Sequence, residues 1–311
     1  MKNLMMLYGV TLGKRFTKRQ KAYFMAEINE TYPKLGFPIQ FQDVKQRFFT
    51  MRNVIAGNLN AADIVFVAAY DTPSKSFLPN YKYYPFHTEK NLNMEYFNLI
   101  AQIIIAIVSA FMSYACLKLF FNNNGLSRIP YIILTIFFAI LALYETKAHP
   151  NVFNFNRNSA SLAVMERIAR ECKGDSNIAF VFLDQAVSSF EGLKLLKERC
   201  NVQNKKFILL DCIASGEKIL VAHRENTENS AKKLIEKAKK YKLEIKNKVY
   251  SDEKAEKNVL AFAKNMLYIV SGTIEKNEFI VKNTKSKKDI VVDINRLDEI
   301  AKLLIEFVQN K

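Results

Sequence analysis

No charged residue occurs between Tyr96 and Leu117, and the stretch LIAQIIIAIVSAFMSYACL within it is apolar almost throughout. About 20 such residues cross the hydrocarbon core of a bilayer. After KLFFNNNGLSR, whose Asn and Gly residues read as a tight loop, a second uncharged run, IPYIILTIFFAILALY, extends from Ile129 to Tyr144 between Arg128 and Glu145. As a helix this run gives roughly 24 Å against a core of about 30 Å, a gap that Leu126 and a snorkelling Arg128 can close. The two runs are expected to form a transmembrane helical hairpin over residues 96–146. The competing reading, a helical hairpin buried in a soluble protein, leaves so few polar positions to face water that lipid is the better expectation.

Charge sets the expected orientation. Of 46 Lys and Arg residues, only Lys118 and Arg128 lie near the short loop, and the net charge is +16. Because basic flanks stay on the cytoplasmic side, both termini and the soluble part are predicted to be cytoplasmic, with the NNNGLS loop outside. The first residues, MKNLMMLYGVTLGKRF, have a weak apolar run without a small-residue cleavage site, so no secretory signal is read there. Cys116, Cys172, Cys200 and Cys212 show neither disulfide nor zinc-ribbon spacing and are expected to be reduced packing residues.

Outside the hairpin, strand-like and helix-like stretches alternate. A helix is expected through RFTKRQKAYFMAEINETYPKLGF. Strands are expected in QRFFTMRNVIAGNLN and ADIVFVAAYD, separated by an Asn-rich turn. Beyond the hairpin come a helix with Leu162, Met165, Ile168, Ala169 and Cys172 on one stripe, then strand NIAFVFLD and helix SFEGLKLLKERC. Strands KKFILLDCIAS and GEKILVAHR, helix SAKKLIEKAKKYKL and strand NEFIVKN follow, before a last helix with Leu297, Ile300, Leu304 and Val308 on one face. This alternation predicts an α/β fold with a sheet covered on both sides by helices. Neither half can close a core alone, so residues 1–95 and 148–311 are expected to form one discontinuous domain into which the hairpin is inserted.

The order of six stretches, NVIAG, AAYDTP, NRNSASLAVMERIA, VFLDQAVSSFEG, FILLDCIAS and VKNTKSKKDIVVDINRL, resembles the di-zinc aminopeptidases of the bacterial leucyl aminopeptidase and glutamate carboxypeptidase type. The resemblance runs from about Asn53 to about Leu297. It implies an aminopeptidase-like mixed sheet sandwiched by helices, and a metal site at the strand ends. In that family two zinc ions need neutral imidazoles and several carboxylates, while a further glutamate takes a proton from the attacking water. Carried over residue by residue, the family's first histidine falls on Ala69, while its supporting aspartate is kept as Asp71. The bridging aspartate falls on Arg157, the Glu-Glu pair on Ala186 and Val187, and the late histidine on Asn283, with Thr284 following as expected. Only the strand-end aspartate, Asp211, remains as a ligand.

The resemblance thus implies a degenerate member, with no metal or other cofactor and no catalytic residue. The expected function is a membrane-anchored pseudopeptidase that acts in binding or as a subunit of a membrane complex. Its expected partners are the bilayer and either another membrane protein or a peptide in the vestigial cleft. The alternative is a zinc aminopeptidase with a site rebuilt from His87, His149 and Glu145, which with His223 complete the chain's histidines and the one acid considered. A cationic Arg157 beside Asp211 leads to the expectation of an ion pair where the metals would be, with Asn283 as a further partner. The basic runs at Lys14–Lys21 and Lys232–Lys242 invite a nucleic-acid reading, but the second alternates with Leu234, Ile235, Ala238, Tyr241 and Leu243 like an ordinary solvated helix. Attraction to anionic lipid accounts for the charge more simply, and no nucleic-acid partner is expected. Ser159 lacks the His and acid arrangement of a nucleophile, and no phosphate-cradling Gly loop occurs.

Overall fold

The computed structural model describes residues 1–45, 50–78, 80–187, 190–202 and 204–309. The start of the first strand-like run (46–49) and Ser188 and Ser189 of the VFLDQAVSSFEG stretch lie outside the described residues. Among the described residues ten strands form the sheet: β1 (Ile39–Lys45), β2 (Thr50–Ala56), β3 (Ile64–Ala69), β4 (Lys82–Tyr83), β5 (Ile178–Leu183), β6 (Lys206–Asp211), β7 (Lys218–Arg224), β8 (Ile245–Tyr250), β9 (Met266–Glu275) and β10 (Glu278–Lys282). Their order is β1-β2-β5-β3-β6-β9. From β5 to β9 the strands are parallel, while β2 and β1 add antiparallel pairs at one edge. Strand β9 is long enough to serve two neighbours along its far side. Its Leu267–Gly272 part pairs with β7, which carries β8, and its Thr273–Glu275 part pairs with β10, which carries β4.

Strands from before and after the hairpin interleave in this sheet, since β3 lies between β5 and β6. The reason is the unbroken apolar character of the central strands. All six residues of β3 and all six of β5 are buried, as expected of parallel strands covered on both faces. Side chains alternate between the faces. Ile64, Phe66 and Ala68 join a core covered by α1 (Lys2–Met6), α2 (Lys18–Lys34), α5 (Ala160–Glu171), α7 (Glu228–Lys240) and α9 (Ile294–Gln309). Val65, Val67 and Ala69 join a second core under α6 (Glu191–Arg199), the turn Val259–Ala261, and β4 with Phe86. The stripe Leu162, Met165, Ile168, Ala169 and Cys172 is buried on α5, as is Leu297, Ile300, Leu304 and Val308 on α9.

Four strands, β1, β4, β8 and β9, escape the sequence reading. Strand β4 has only two residues, and β1 and β8 carry many polar residues at the sheet edges, where Ile245 is the one buried residue of β8. Helix α2 begins at Lys18, not at Arg15, because Thr17 and Gln20 form a capping box: Thr17 Oγ1 accepts from Gln20 N and Gln20 Oε1 accepts from Thr17 N at 3.0 Å. Arg15 is therefore not on a basic helix face. It is buried and donates to the carbonyls of Tyr70, Tyr8 and Leu12 and to Ser159 Oγ, and burial pulls its guanidinium down to about 10. Lys232–Lys242 does form a solvated face, with Ala231, Leu234 and Ala238 turned to the core.

Helices α3 (Thr88–Asn122) and α4 (Ile129–Glu145) form the hairpin, joined by a 3-10 turn at Gly125–Arg128. Helix α3 starts earlier than the uncharged run because its first turns dock on the domain. Asn91 Nδ2 donates to Tyr84 O, and Asn98 Oδ1 accepts from Phe77 N at 2.6 Å. Higher up, Gln102 Nε2 donates to Glu145 O and Lys147 O, and Ser113 Oγ donates to Thr135 O. The burial pattern of α3 is inside out. Its buried residues are Asn91, Asn98, Gln102, Ser109 and Cys116, while Ile103, Ile104, Ile107, Val108 and Phe111 are exposed. The apolar stretch of α4 buries none of its residues.

Candidate functional site

Strands β3, β5 and β6 run parallel, so their carboxyl ends gather at one edge of the sheet, the place where open α/β sheets carry their sites. Ala69 ends β3 and Asp71 follows it. Asp184, Ala186 and Val187 follow β5, and Asp211 ends β6. Arg157 enters from a wide turn, Phe155–Ser159, that leads into α5. That turn is fixed from below: Asp289 accepts from Asn156 N at 2.9 Å and from Arg157 N at 3.3 Å, while Asn156 Oδ1 accepts from the N–H groups of Ala214 and Ser215. The fold thereby aims the Arg157 side chain at the end of β6.

Arg157 and Asp211 form the ion pair expected from the sequence, through Nη1 and Oδ1. Both are buried, at 2% and 3% exposure, so the pair is closed to bulk water. Further partners surround both members of the pair. Arg157 Nη2 donates to Val187 O at 2.7 Å, and the guanidinium carbon sits 4.1 Å from the ring centre of Tyr83. The second oxygen of Asp211 accepts from the hydroxyls of Tyr83 and Tyr268, each at 2.8 Å, and Cys212 Sγ donates to the first at 3.2 Å. Burial alone pulls the guanidinium down, but Asp211, with Tyr83, Cys212 and Tyr268, outweighs it and holds Arg157 well above its ordinary value. The same burial, with Asp211 next to them, raises Tyr83, Tyr268 and Cys212, which stay protonated as donors.

Asp71 keeps a structural task. Its Oδ1 accepts from Ala186 N at 3.1 Å, tying the turn after β3 to the turn after β5. Burial, then the charge of Asp184, raise it to about 6 against the pull of Lys21, the Ala186 N–H and Arg157. Ala69 and Ala186 are buried in the second apolar core, Val187 is buried too, and none of the three brings a donor atom on its side chain. Asn283 is not among the partners of Asp211, contrary to the expectation. It lies beyond β10 with φ +68, lining a separate cavity of about 310 Å³ with Asn80, Tyr81, Lys82, Glu275 and Lys282. Lys285, two residues on, points inward, pairs with Glu95 of α3 and lies over Tyr81.

These residues do not fit a pair of zinc ions. Two zincs need a set of imidazoles and carboxylates, and the carboxylates at this edge are already engaged, Asp211 by the fixed cation of Arg157, Asp184 by Lys21 and Asp71 by the Ala186 N–H, with no imidazole beside them. The relocated site is not assembled either. His87 precedes the first residue of α3, whereas Glu145 meets that helix at Gln102, about 22 Å further along its axis. His149 stacks on Tyr144 at 3.7 Å and bonds its carbonyl, and buried His223 bonds Arg224 O and Asn247 Oδ1. Among the described residues no three His, Cys, Asp or Glu side chains converge as metal ligands.

The sequence reading did not find Tyr83, Tyr268, Cys212 or Asp289. Tyr268 sits in the apolar run MLYIV, whose buried-strand signal was available. Tyr83 comes from a two-residue strand that carries no periodic signal.

No family model matches the sequence, and no curated protein matches it. Solved structures do. The glutaminyl cyclase of Macrostomum lignano superposes with a TM-score of 0.58 at 10% identity, over 99% of this chain and 88% of that one. The glutaminyl cyclase of Fimbriiglobus ruber gives 0.52 at 12%, over 100% and 92%. The LapA aminopeptidase of Legionella pneumophila gives 0.50 at 10%, over 98% of this chain and 68% of that one. At such identity the likeness is one of fold: a mixed sheet flanked by helices, of aminopeptidase-like type.

Proposed function

We propose that this chain is a membrane-anchored pseudoenzyme of the peptidase and glutaminyl cyclase fold group, acting as a binding subunit of a membrane complex. The observation that carries the loss of activity is the buried Arg157–Asp211 pair. It sets a fixed single positive charge at the strand ends, and Ala69, Ala186 and Val187 bring neither a base nor a ligand to that edge. A peptide in the old cleft would have to break this pair open, so a partner met through the hairpin is the better supported mode of binding.

Anchoring is supported by the inverted pattern of α3 and by the bare apolar surface of α4. Contiguous exposed apolar surface of that extent needs cover, and soluble proteins rarely leave it open. Small and polar residues on the seam with large apolar ones outside is the arrangement of helices packed in lipid. The basic flanks support a cytoplasmic domain with both termini on the same side.

The test is purification in mild detergent, followed by elemental analysis, mass spectrometry of co-purifying proteins, and assay on chromogenic aminoacyl and N-terminal glutaminyl substrates. Less than stoichiometric zinc, no turnover and a recurrent membrane partner are expected. Two zinc ions per chain with chelator-sensitive turnover would overturn the inactive reading.

A further inference from the structure

Three contacts fix the depth of the domain along α3. Lys285 Nζ and Tyr81 OH both meet Glu95, the latter at 2.8 Å. Asn98 meets Ser76 and Phe77, and one turn higher Gln102 bonds the chain leaving α4. On these same turns the other faces of α3 expose Tyr96 (61%), Phe97 (60%), Leu99 (51%) and Ile100 (51%). The helix therefore presents apolar surface at the level where it is docked to the domain. From Ile103 to Asn122 it measures about 30 Å, the hydrocarbon thickness, and from Tyr96 about 40 Å, close to the thickness of a bilayer with its headgroups. Tyr96 to Gln102 then falls in the headgroup layer, where aromatic side chains favour the interface. Tyr144, stacked on His149 at the foot of α4, is at the same level as Gln102.

Whatever is docked to that part of α3 shares its depth. Segments 73–78, 147–155 and 284–291 are bonded into one edge there. Lys75 N donates to His149 O, Ser76 N to Lys285 O, Asn151 Nδ2 to Ser286 O and Phe155 N to Asp289 O. Lys75, Lys147, Lys287 and Lys288 are exposed on it, together with Val152, Ile290 and Val291. Its acids are withdrawn: Asp289 is buried under the N–H groups of Asn156 and Arg157, Glu145 is buried, and Glu95 is paired with Lys285. One exposed acid, Asp293, follows at the start of α9, where it caps Arg296 N.

We propose that this lysine-bearing edge is a docking surface for anionic phospholipid headgroups, which seats the domain in the interface of the bilayer that holds the hairpin. The proposal rests on the membrane-anchored reading above. Ammonium groups interspersed with apolar side chains match an anionic lipid surface, in which phosphates meet the lysines and the valines and isoleucine reach the acyl boundary. The hairpin raises the local concentration of that surface, so each lysine adds to an attachment already made.

The chain contains no tryptophan, so a single introduced one reports one place. Phe111→Trp reports the hairpin and Val291→Trp the edge. Val249→Trp is the control, on β8 beside Tyr250, which packs on Phe86 at the other end of α3. Each full-length variant is reconstituted in nanodiscs of phosphatidylcholine, with or without phosphatidylglycerol, carrying nitroxide on the headgroup or deep in the acyl chain. The expected result is acyl quenching of Phe111→Trp in both bilayers, headgroup quenching of Val291→Trp that strengthens with phosphatidylglycerol, and little quenching of Val249→Trp. Combining Lys75→Glu, Lys147→Glu, Lys287→Glu and Lys288→Glu with Val291→Trp should abolish that strengthening. In the Phe111→Trp background the same four changes should leave hairpin quenching unchanged. If Phe111→Trp escapes quenching in both bilayers, the anchoring itself is wrong. If Phe111→Trp is quenched while Val291→Trp behaves like Val249→Trp, or ignores phosphatidylglycerol, the docking surface is refuted and the anchoring stands.

Discussion

Replacing Arg157 by Met keeps most of the buried volume while removing the charge, and Asp211→Asn removes the opposite charge. In Arg157→Met the carboxylate of Asp211 loses its cation but keeps the hydroxyls of Tyr83 and Tyr268 and the thiol of Cys212, while Val187 O loses its donor. Breaking one side of a buried pair costs about 3–5 kcal/mol, and an orphaned carbonyl contributes about 1 kcal/mol of such a loss. Three retained donors place the expected figure near the lower end, at about 3 kcal/mol. Asp211→Asn leaves the guanidinium with the face of Tyr83 and Val187 O, and a similar loss is expected. The double variant has no unpaired charge, so it should recover about 2–3 kcal/mol relative to the sum. Urea unfolding of the full chain in mild detergent, followed by near-ultraviolet tyrosine dichroism, measures all three. Additivity within about 0.5 kcal/mol would refute the idea that the pair acts as a unit. A cost below about 1 kcal/mol for Arg157→Met would show that the tyrosines suffice for the carboxylate.

Topology predicts that Asn123→Cys labels with an impermeant thiol reagent in intact cells and that exposed Lys173→Cys labels only after lysis; the reverse pattern would invert the orientation. Stability should depend on pH through two buried acids. Burial lifts Asp289 to about 7 against the pull of the Asn156 and Arg157 N–H groups and the Arg157 charge, and lifts Asp71 to about 6. A raised carboxyl binds its proton more tightly folded than unfolded, so its contribution is present below about pH 4 and is lost as pH rises toward 6 to 7. Asp289→Asn should flatten the stability profile across that window by about 2–4 kcal/mol relative to the parent. An unchanged profile in the variant would rule out Asp289 as a source.

How much of this could be seen in the sequence depends on what each element asks of it. Central strands β3, β5 and β6 are buried on both faces and read as unbroken apolar runs, and the stripes on α5 and α9 recur at helical spacing. Edge strands β1 and β8 face water and carry Gln, Asp, Lys and Asn, so their residues look like loops; pairing, not composition, makes them strands. Strand β9 is a different failure, because its run MLYIV carries the same signal as β3. At the site, the order of stretches located Ala69, Asp71, Arg157, Ala186, Val187 and Asp211 at one sheet edge, since strand ends are fixed by the strands. It misplaced Asn283, which follows the short β10 paired with β4 and with the distal part of β9, and it missed Tyr83 and Tyr268, whose roles exist only after long-range pairing.

Asp71 and Asp211 stand where the resemblance puts metal-site acids, and an acid at such a position invites a metal. Each has work here that a metal does not supply: Asp71 ties two turns through the Ala186 N–H, and Asp211 gathers two tyrosines, a thiol and a guanidinium. Charge balance explains the rest of the edge. Two divalent ions call for several carboxylates, each stable in a buried place only while the ions are present. A guanidinium brings one positive charge, and Asp211 alone balances it. A second or third carboxylate near Arg157 would be buried without a counter-charge, which is the expensive arrangement for a low-dielectric site. Apolar Ala69, Ala186 and Val187 suit a single fixed cation as neighbours, Asp184 has Lys21 for its own counter-charge, and Asp71 and Asp289 are pushed up toward their neutral forms. Under the proposed reading the arginine and its apolar neighbours are one electrostatic solution, and introducing any single carboxylate without removing Arg157 would not create a metal site.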